Sequence, residues 1–318
     1  MIMKHIGLVL LFAATVAFTG CSEDDLSPTS VININNPQDN EDSEESKSFD
    51  AWLDKNYTQE YNIRFQYRYN DKETDLTYNV IPASFAESKA LARLIQHIWL
   101  EVYAEAVGKE FIKTYSPRVI QLIGSYEYNA NGFIIKGTAE KGLKIMLYGV
   151  NNLDIDNPRI NVDNPYEEKE AKPIDLNYGF FNTMHHEFCH ILTQTKNYSP
   201  DFQTISSGRY HSTDWINVKD PDAAKEGFVT GYASGEYNED FAEVYANYVT
   251  LSPTGWQTIL TQAGPDGAAI INKKLSMVKE YFQNSWGVDL DDLRAIILRR
   301  SAEAPTLDLR NFNINENE

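Results

Sequence analysis

Cysteine is nearly absent: the 318 residues contain two, Cys21 and Cys189. Two cannot make a disulfide framework, so the chain must be held together by a hydrophobic core. Basic residues are also in deficit. The 28 Lys and Arg stand against 46 Asp and Glu, a net charge of −18. That balance argues against binding nucleic acid or anionic lipid headgroups through charge. The conspicuous apolar run, Ile6–Phe18, is too short to span a bilayer comfortably. What is present is ordinary for a globular protein, with 42% hydrophobic and 12% aromatic residues. The length suits one large domain or two small ones.

Histidine is scarce as well, six in all, yet two of them stand four apart in His186-Glu187-Phe188-Cys189-His190. On an α-helix, residues four apart lie on nearly the same face, one turn above each other. His186 and His190 can therefore aim two imidazoles at one point, with Glu187 flanking it from the next row. This H-E-x-x-H pattern is how a zinc hydrolase supplies two ligands and a general base from one turn. Phe180, Phe181, Met184, Phe188, Ile191 and Leu192 recur at helical spacing around it, and Asp175 or Asn177 is a candidate N-cap. His185 points about 100° away from His186 on such a helix and is read as a non-ligand. Cys189 is read as a small buried filler, since a thiolate ligand would close the position that water needs.

The N-terminus has the form of a secretory signal, with Lys4 and His5 ahead of the apolar run. Phe18-Thr19-Gly20-Cys21 resembles a bacterial lipobox, so residues 1–20 are expected to be a lipoprotein signal peptide and Cys21 the lipidated N-terminus. Glu23-Asp24-Asp25 resembles the export tag that sends some Gram-negative lipoproteins to the cell surface. Residues 21–50 are rich in Asn, Asp, Glu and Ser and are expected to be a disordered acidic tether. Apolar content rises from Trp52, which places the folded domain at 51–318.

Within it, Tyr61–Tyr69 alternates apolar and polar residues as a half-buried strand does. Pro82 to Gly108 reads as a long amphipathic helix, with a Ser84/Glu87 capping box and a stripe from Leu91 through Ala106. His97 near that stripe has no partner at metal spacing and is read as structural. Short strands are expected at Arg118–Ile123, Gly132–Thr138 and Leu143–Val150, the last as a candidate substrate-binding edge. Lys196–Gly235 reads as a long segment ordered by Tyr210, Trp215, Phe228 and Tyr232. Helices are expected at Glu239–Leu251 and around Pro253–Gln262, Ala268–Asn284 and Leu290–Ala302.

A catalytic zinc needs a third protein ligand. The positions where a metzincin carries Gly and His hold Thr193 and Lys196, so the ligand comes from a later element. Glu239-Asp240-Phe241-Ala242-Glu243 is the best candidate, with two glutamates four apart on one helical face. Glu239 would bind zinc, and Glu243 would accept the outer N–H of a ligand histidine. The reverse assignment, with Glu243 on the metal, is also open.

H-E-x-x-H followed by Tyr232-Ala233 and by Glu-Asp-Phe-Ala-Glu resembles the gluzincin group of zinc peptidases. With the lipoprotein N-terminus, the chain from about Phe49 to Ala302 resembles the substrate import-associated zinc metallohydrolase lipoproteins. The resemblance implies an α+β, zincin-like metallopeptidase fold: a small mixed sheet, an active-site helix and a helical C-terminal half. It also implies an outer-membrane, surface-facing setting beside a nutrient import complex, with the membrane met through the N-terminal lipid only. By the same resemblance Tyr232 stands where such enzymes place an oxyanion-stabilising tyrosine; Tyr210 and His211 are rivals. The expected activity is cleavage of a protein or peptide substrate by zinc-bound water, with Glu187 as general base. The rival function is a non-catalytic surface binding lipoprotein that assists the import channel.

Overall fold

The computed structural model describes residues 43–70, 80–128, 134–135, 137–140, 143–168 and 173–312. The signal peptide, Cys21 and the acidic residues after it lie outside the described residues. So do Gly132, Phe133 and Lys136 of one expected strand.

The folded chain begins ahead of residue 51. Helix α1 covers Glu44–Leu53, with Ser43 as N-cap accepting from the Ser46 N–H and two glutamates in the first turn. Its polar composition resembles a tether, but Phe49 and Trp52 are 1% and 2% exposed. They clasp the far end of the chain: the Phe312 ring lies 5.3 Å from Phe49 and 4.8 Å from Trp52.

Strand β1 (Arg64–Gln66) follows, shorter than the alternating segment around it. The long helix is nearly continuous, as α2 (Phe85–Ile95), a wider π turn (Gln96–Leu100) and α3 (Glu101–Ala106). Leu91, Leu94, Ile95, Ile98 and Val102 are fully buried along it, the stripe that a 3.6-residue period produces. The expected capping box does not form. Asn151 accepts from the Ser84 N–H at 2.7 Å, the bond Glu87 would have made, and the Ser84 hydroxyl makes no capping bond.

After α4 (Lys109–Tyr115) come the strands β2 (Val119–Leu122), β3 (Glu127–Tyr128), β4 (Ile134–Ile135), β5 (Gly137–Glu140) and β6 (Lys144–Leu147). The main sheet has the order β1-β2-β6-β5, with β1, β2 and β6 parallel and β5 antiparallel to β6. The mixed sheet expected from the sequence is therefore present, but its edge is not where it was expected. Leu143–Val150 contributes β6, an interior strand. The edge beside the motif helix is β5, which lies against α5 (Asn182–Thr195). The physical reason is pairing: β6 is apolar enough to be covered on both sides, with Ile145 and Leu147 fully buried on one face and Met146 2% exposed on the other.

The rest is helical. Residues 196–235 carry short turns, α6 (Asp201–Ile205) and α7 (Asp220–Lys225), ending in a 3-10 turn at Tyr232–Ser234. Then come α8 (Tyr237–Thr250), α9 (Pro253–Trp286) and α10 (Leu290–Glu303). Gly264, at φ 68° and ψ −178° just before Pro265, breaks α9 into the two helices the sequence suggests. The fold is α+β, and α5 packs on α8 at its centre.

Candidate metal centre

Helix α5 is fixed before it reaches the motif. The Asp175 carboxylate accepts from the N–H groups of Asn177 (3.1 Å) and Tyr178 (3.3 Å), capping the helical run that leads into α5. On its core side Phe188 is fully buried, its ring 4.9 Å from Tyr103 and 5.4 Å from Trp99 in edge-on contacts. With that face locked, the opposite stripe turns His186 and His190 toward α8.

There three atoms converge. His186 Nε2 lies 3.0 Å from Glu239 Oε2, His190 Nε2 lies 3.3 Å from the same oxygen, and the two Nε2 atoms are 3.0 Å apart. A tetrahedral zinc with bonds of about 2.0–2.1 Å sets its ligand atoms roughly 3.3 Å from one another. Two imidazoles and one carboxylate oxygen at this spacing form a donor set that fits zinc. Glu239 rather than Glu243 faces this point. Glu243 lies behind it, with Oε1 2.8 Å from His186 Nδ1, and so fixes the ring orientation from the outer side.

The electrostatics follow from burial and close carboxylates. Burial pulls His186 down, but hydrogen bonds to Glu239 and Glu243 and the charges of Glu243 and Glu187 outweigh it and raise its pKa to about 10. Burial acts upward on Glu239, yet the bonds from His186 and His190 hold it far below the usual carboxylate range. Glu187 is raised, chiefly by burial and also by the charges of Glu239 and Glu243, against the lowering effect of the two histidines. A raised carboxylate is a stronger base than a free one.

Of the three candidate oxyanion donors, Tyr232 is the one at the centre. Its ring lies 5.8 Å from the His186 ring and 4.8 Å from Trp215. Burial and the neighbouring carboxylates, Glu239 first, push its phenol well above the ordinary value, so it keeps its proton. Tyr210 instead donates to Asp240 at 2.9 Å, and His211 Nε2 lies 2.7 Å from Glu226. His185 is buried on the core side with Nδ1 2.7 Å from the Tyr103 hydroxyl, and burial lowers its pKa to about 3. Cys189 is buried too, its thiol pushed up by burial. His97 pairs with Glu303 and Glu101.

Two supporting groups escape a reading of the sequence. Thr230 donates to Glu243 Oε2 at 2.6 Å and accepts from the Ala233 N–H at 3.0 Å, tying the Tyr232 turn to the carboxylate behind His186. Asp240, next to Glu239, is fully buried in an ion pair of 2.6 Å with Lys274 of α9. Lys274 falls on the buried stripe with Ile271 and Val278, so a charge on an apolar face was the available signal. Thr230 offers none, because its partner lies on another element.

Residues 42–291 match the family model described as "Putative zinc-binding metallo-peptidase". A crystal structure of a "putative zinc-binding metallo-peptidase" from Bacteroides caccae is 43% identical, covering 85% of this chain and 98% of its own, with a TM-score of 0.71. No curated protein matches the chain.

Proposed function

The chain belongs to the zinc-binding metallo-peptidase family, and from that premise we propose that it hydrolyses peptide bonds at the His186–His190–Glu239 centre in the manner of a gluzincin. The observation that carries this is the convergence of those three ligand atoms with Glu187 beside them. His186, His190 and Glu239 hold the cation, and Glu243 and Thr230 hold His186 in place. Zinc, when bound, supplies Lewis acidity that polarises the scissile carbonyl and lowers the pKa of water. Glu187 takes the proton from the attacking water and delivers it to the leaving amine. Tyr232, protonated and beside His186, donates to the negative charge that develops on the carbonyl oxygen.

The test is Glu187→Gln. It should keep the metal and the thermal midpoint of the wild type and lose about 10²–10⁴-fold in hydrolysis of a peptide mixture. An undiminished rate removes Glu187 from the role of base. Glu239→Ala should lower bound zinc sharply; metal near one per chain in that variant would pass the ligand role to Glu243.

We also propose that the protein is held on the outer face of the outer membrane, anchored through Cys21 and beside a nutrient import complex. Lys4, the apolar run and the sequence Phe18–Cys21 support it. Radiolabelled fatty acid should enter the wild type and not Cys21→Ala; equal labelling would reject the anchor.

A further inference from the structure

The candidate metal centre opens into a cavity of about 320 Å³. One wall is the stripe Glu187, Ile191 and Gln194 of α5, and Tyr198, Glu236 and Asn238 form part of the other. A second cavity, also about 320 Å³, adjoins it, with Asn197 and Tyr198 lining both. The two make one groove that runs from His190 and Glu239 across Tyr198 to α9. Tyr198 is a fixed saddle between them: its ring stacks on Phe241 at 4.1 Å and its hydroxyl donates to Asn238 at 2.9 Å.

Among the described residues the groove lining carries carboxylates and no Lys or Arg, with Lys196 outside it donating to the Ser285 carbonyl at its α9 end. Glu187, Glu239 and Glu236 line the first part and Asp201 and Glu280 the second. Two of these carboxylates are already committed, Glu239 to the metal and Glu187 to the proton. Glu236 is exposed, and its Oε1 accepts only a long bond of 3.3 Å from the Asn238 amide. Among the described residues Glu236, Asp201 and Glu280 have no ion-pair partner, so their charge is free for a ligand. The second cavity adds apolar surface from the half-buried Met277 and the edge of Tyr281, which suits the long methylene stem of a basic side chain.

We propose that this groove selects peptides with Lys or Arg next to the cleaved bond, with Glu236 as the counter-charge and the acidic far end favouring further basic residues. The proposal rests on the peptidase reading, and it is separable from it by experiment. In the zinc-loaded full chain carrying Glu187→Gln, labelled hexapeptides that differ only in one Lys, Arg, Leu or Glu are titrated by fluorescence anisotropy. The Lys and Arg peptides should bind about ten-fold tighter, a preference that high salt weakens. Glu236→Lys in the same background should abolish it, and Gln194→Lys on the opposite wall should reduce it. Equal affinities, or a basic preference that survives both changes, overturn the proposal. A second arm sequences the cuts that the wild type makes in an unbiased peptide library. Cuts flanked by Lys or Arg support the groove, and cuts only at apolar or acidic sites overturn it while leaving the peptidase reading intact. No cutting at all, with the basic binding preference present, removes the hydrolase and keeps the groove.

Discussion

His186 is gripped at both ring nitrogens by carboxylates, Glu239 on one side and Glu243 on the other. Protein groups alone raise its pKa from 6.5 to about 10. A histidine whose folded pKa is raised stabilises the fold fully below its unfolded value and loses that contribution as pH rises through the folded one. A metal ligand must be deprotonated, so zinc binding has the opposite slope. In excess chelator the thermal midpoint should therefore fall between about pH 7 and pH 10, while zinc affinity measured by competition should rise across the same window. A chelated protein whose midpoint climbs over that range would show that His186 is neutral there. At this scale the H-E-x-x-H residues are legible in the sequence because one helical turn brings them together. Glu239 is legible only as one of two glutamates, since the choice between them depends on how α8 is rotated against α5. Thr230 is invisible, as its bond to Glu243 spans a turn whose shape the sequence does not specify.

The rotation of α8 is set by a buried charge. Asp240 meets Lys274 of α9 at 2.6 Å, both side chains without solvent exposure, and accepts from Tyr210 as well. Lys274 also donates to the Gly227 carbonyl at 2.8 Å and lies over the Phe228 ring. Removing one member strands the other in the interior, which costs about 3–5 kcal/mol. Lys274→Met should lower the unfolding free energy measured by denaturant titration by that amount, and Lys274→Met with Asp240→Asn should recover part of it. The single variant should also bind zinc more weakly, because Glu239 is the adjacent residue. Undisturbed stability in Lys274→Met would mean that the pair does not hold α8. Long amphipathic elements such as α2–α3, α8 and α10 are readable from their stripes. The sheet is harder, since its strands are short and β5 and β6 are told apart only by which one pairs with β2. The Ser84/Glu87 cap fails for a related reason: Asn151, distant in sequence, reaches the N–H first.

At the scale of the molecule, composition misplaces the start of the fold. Glu44–Leu53 is polar on average, and only three large apolar residues, Phe49, Trp52 and Leu53, reveal that it docks. Phe49 and Trp52 share a lock with Phe312, and Lys89 of α2 joins it by donating to the Arg310 carbonyl at 3.1 Å. A chain beginning at Ser43 should keep the full thermal midpoint. One beginning at Ala51 loses Phe49 and should be less stable by about 3–5 kcal/mol, the usual cost of deleting a buried phenylalanine. Equal midpoints for the two would show α1 to be dispensable.

Because two aromatic contacts seal the first helix to residue 312, the polypeptide comes close to being a ring that happens to be cut there. A short bridge from 312 back to 43, with a new break in an exposed surface turn, would give a circular permutant with every buried neighbour kept. The order in which the residues are written would change, while the pairing of α5 with α8, on which the chemistry depends, would not.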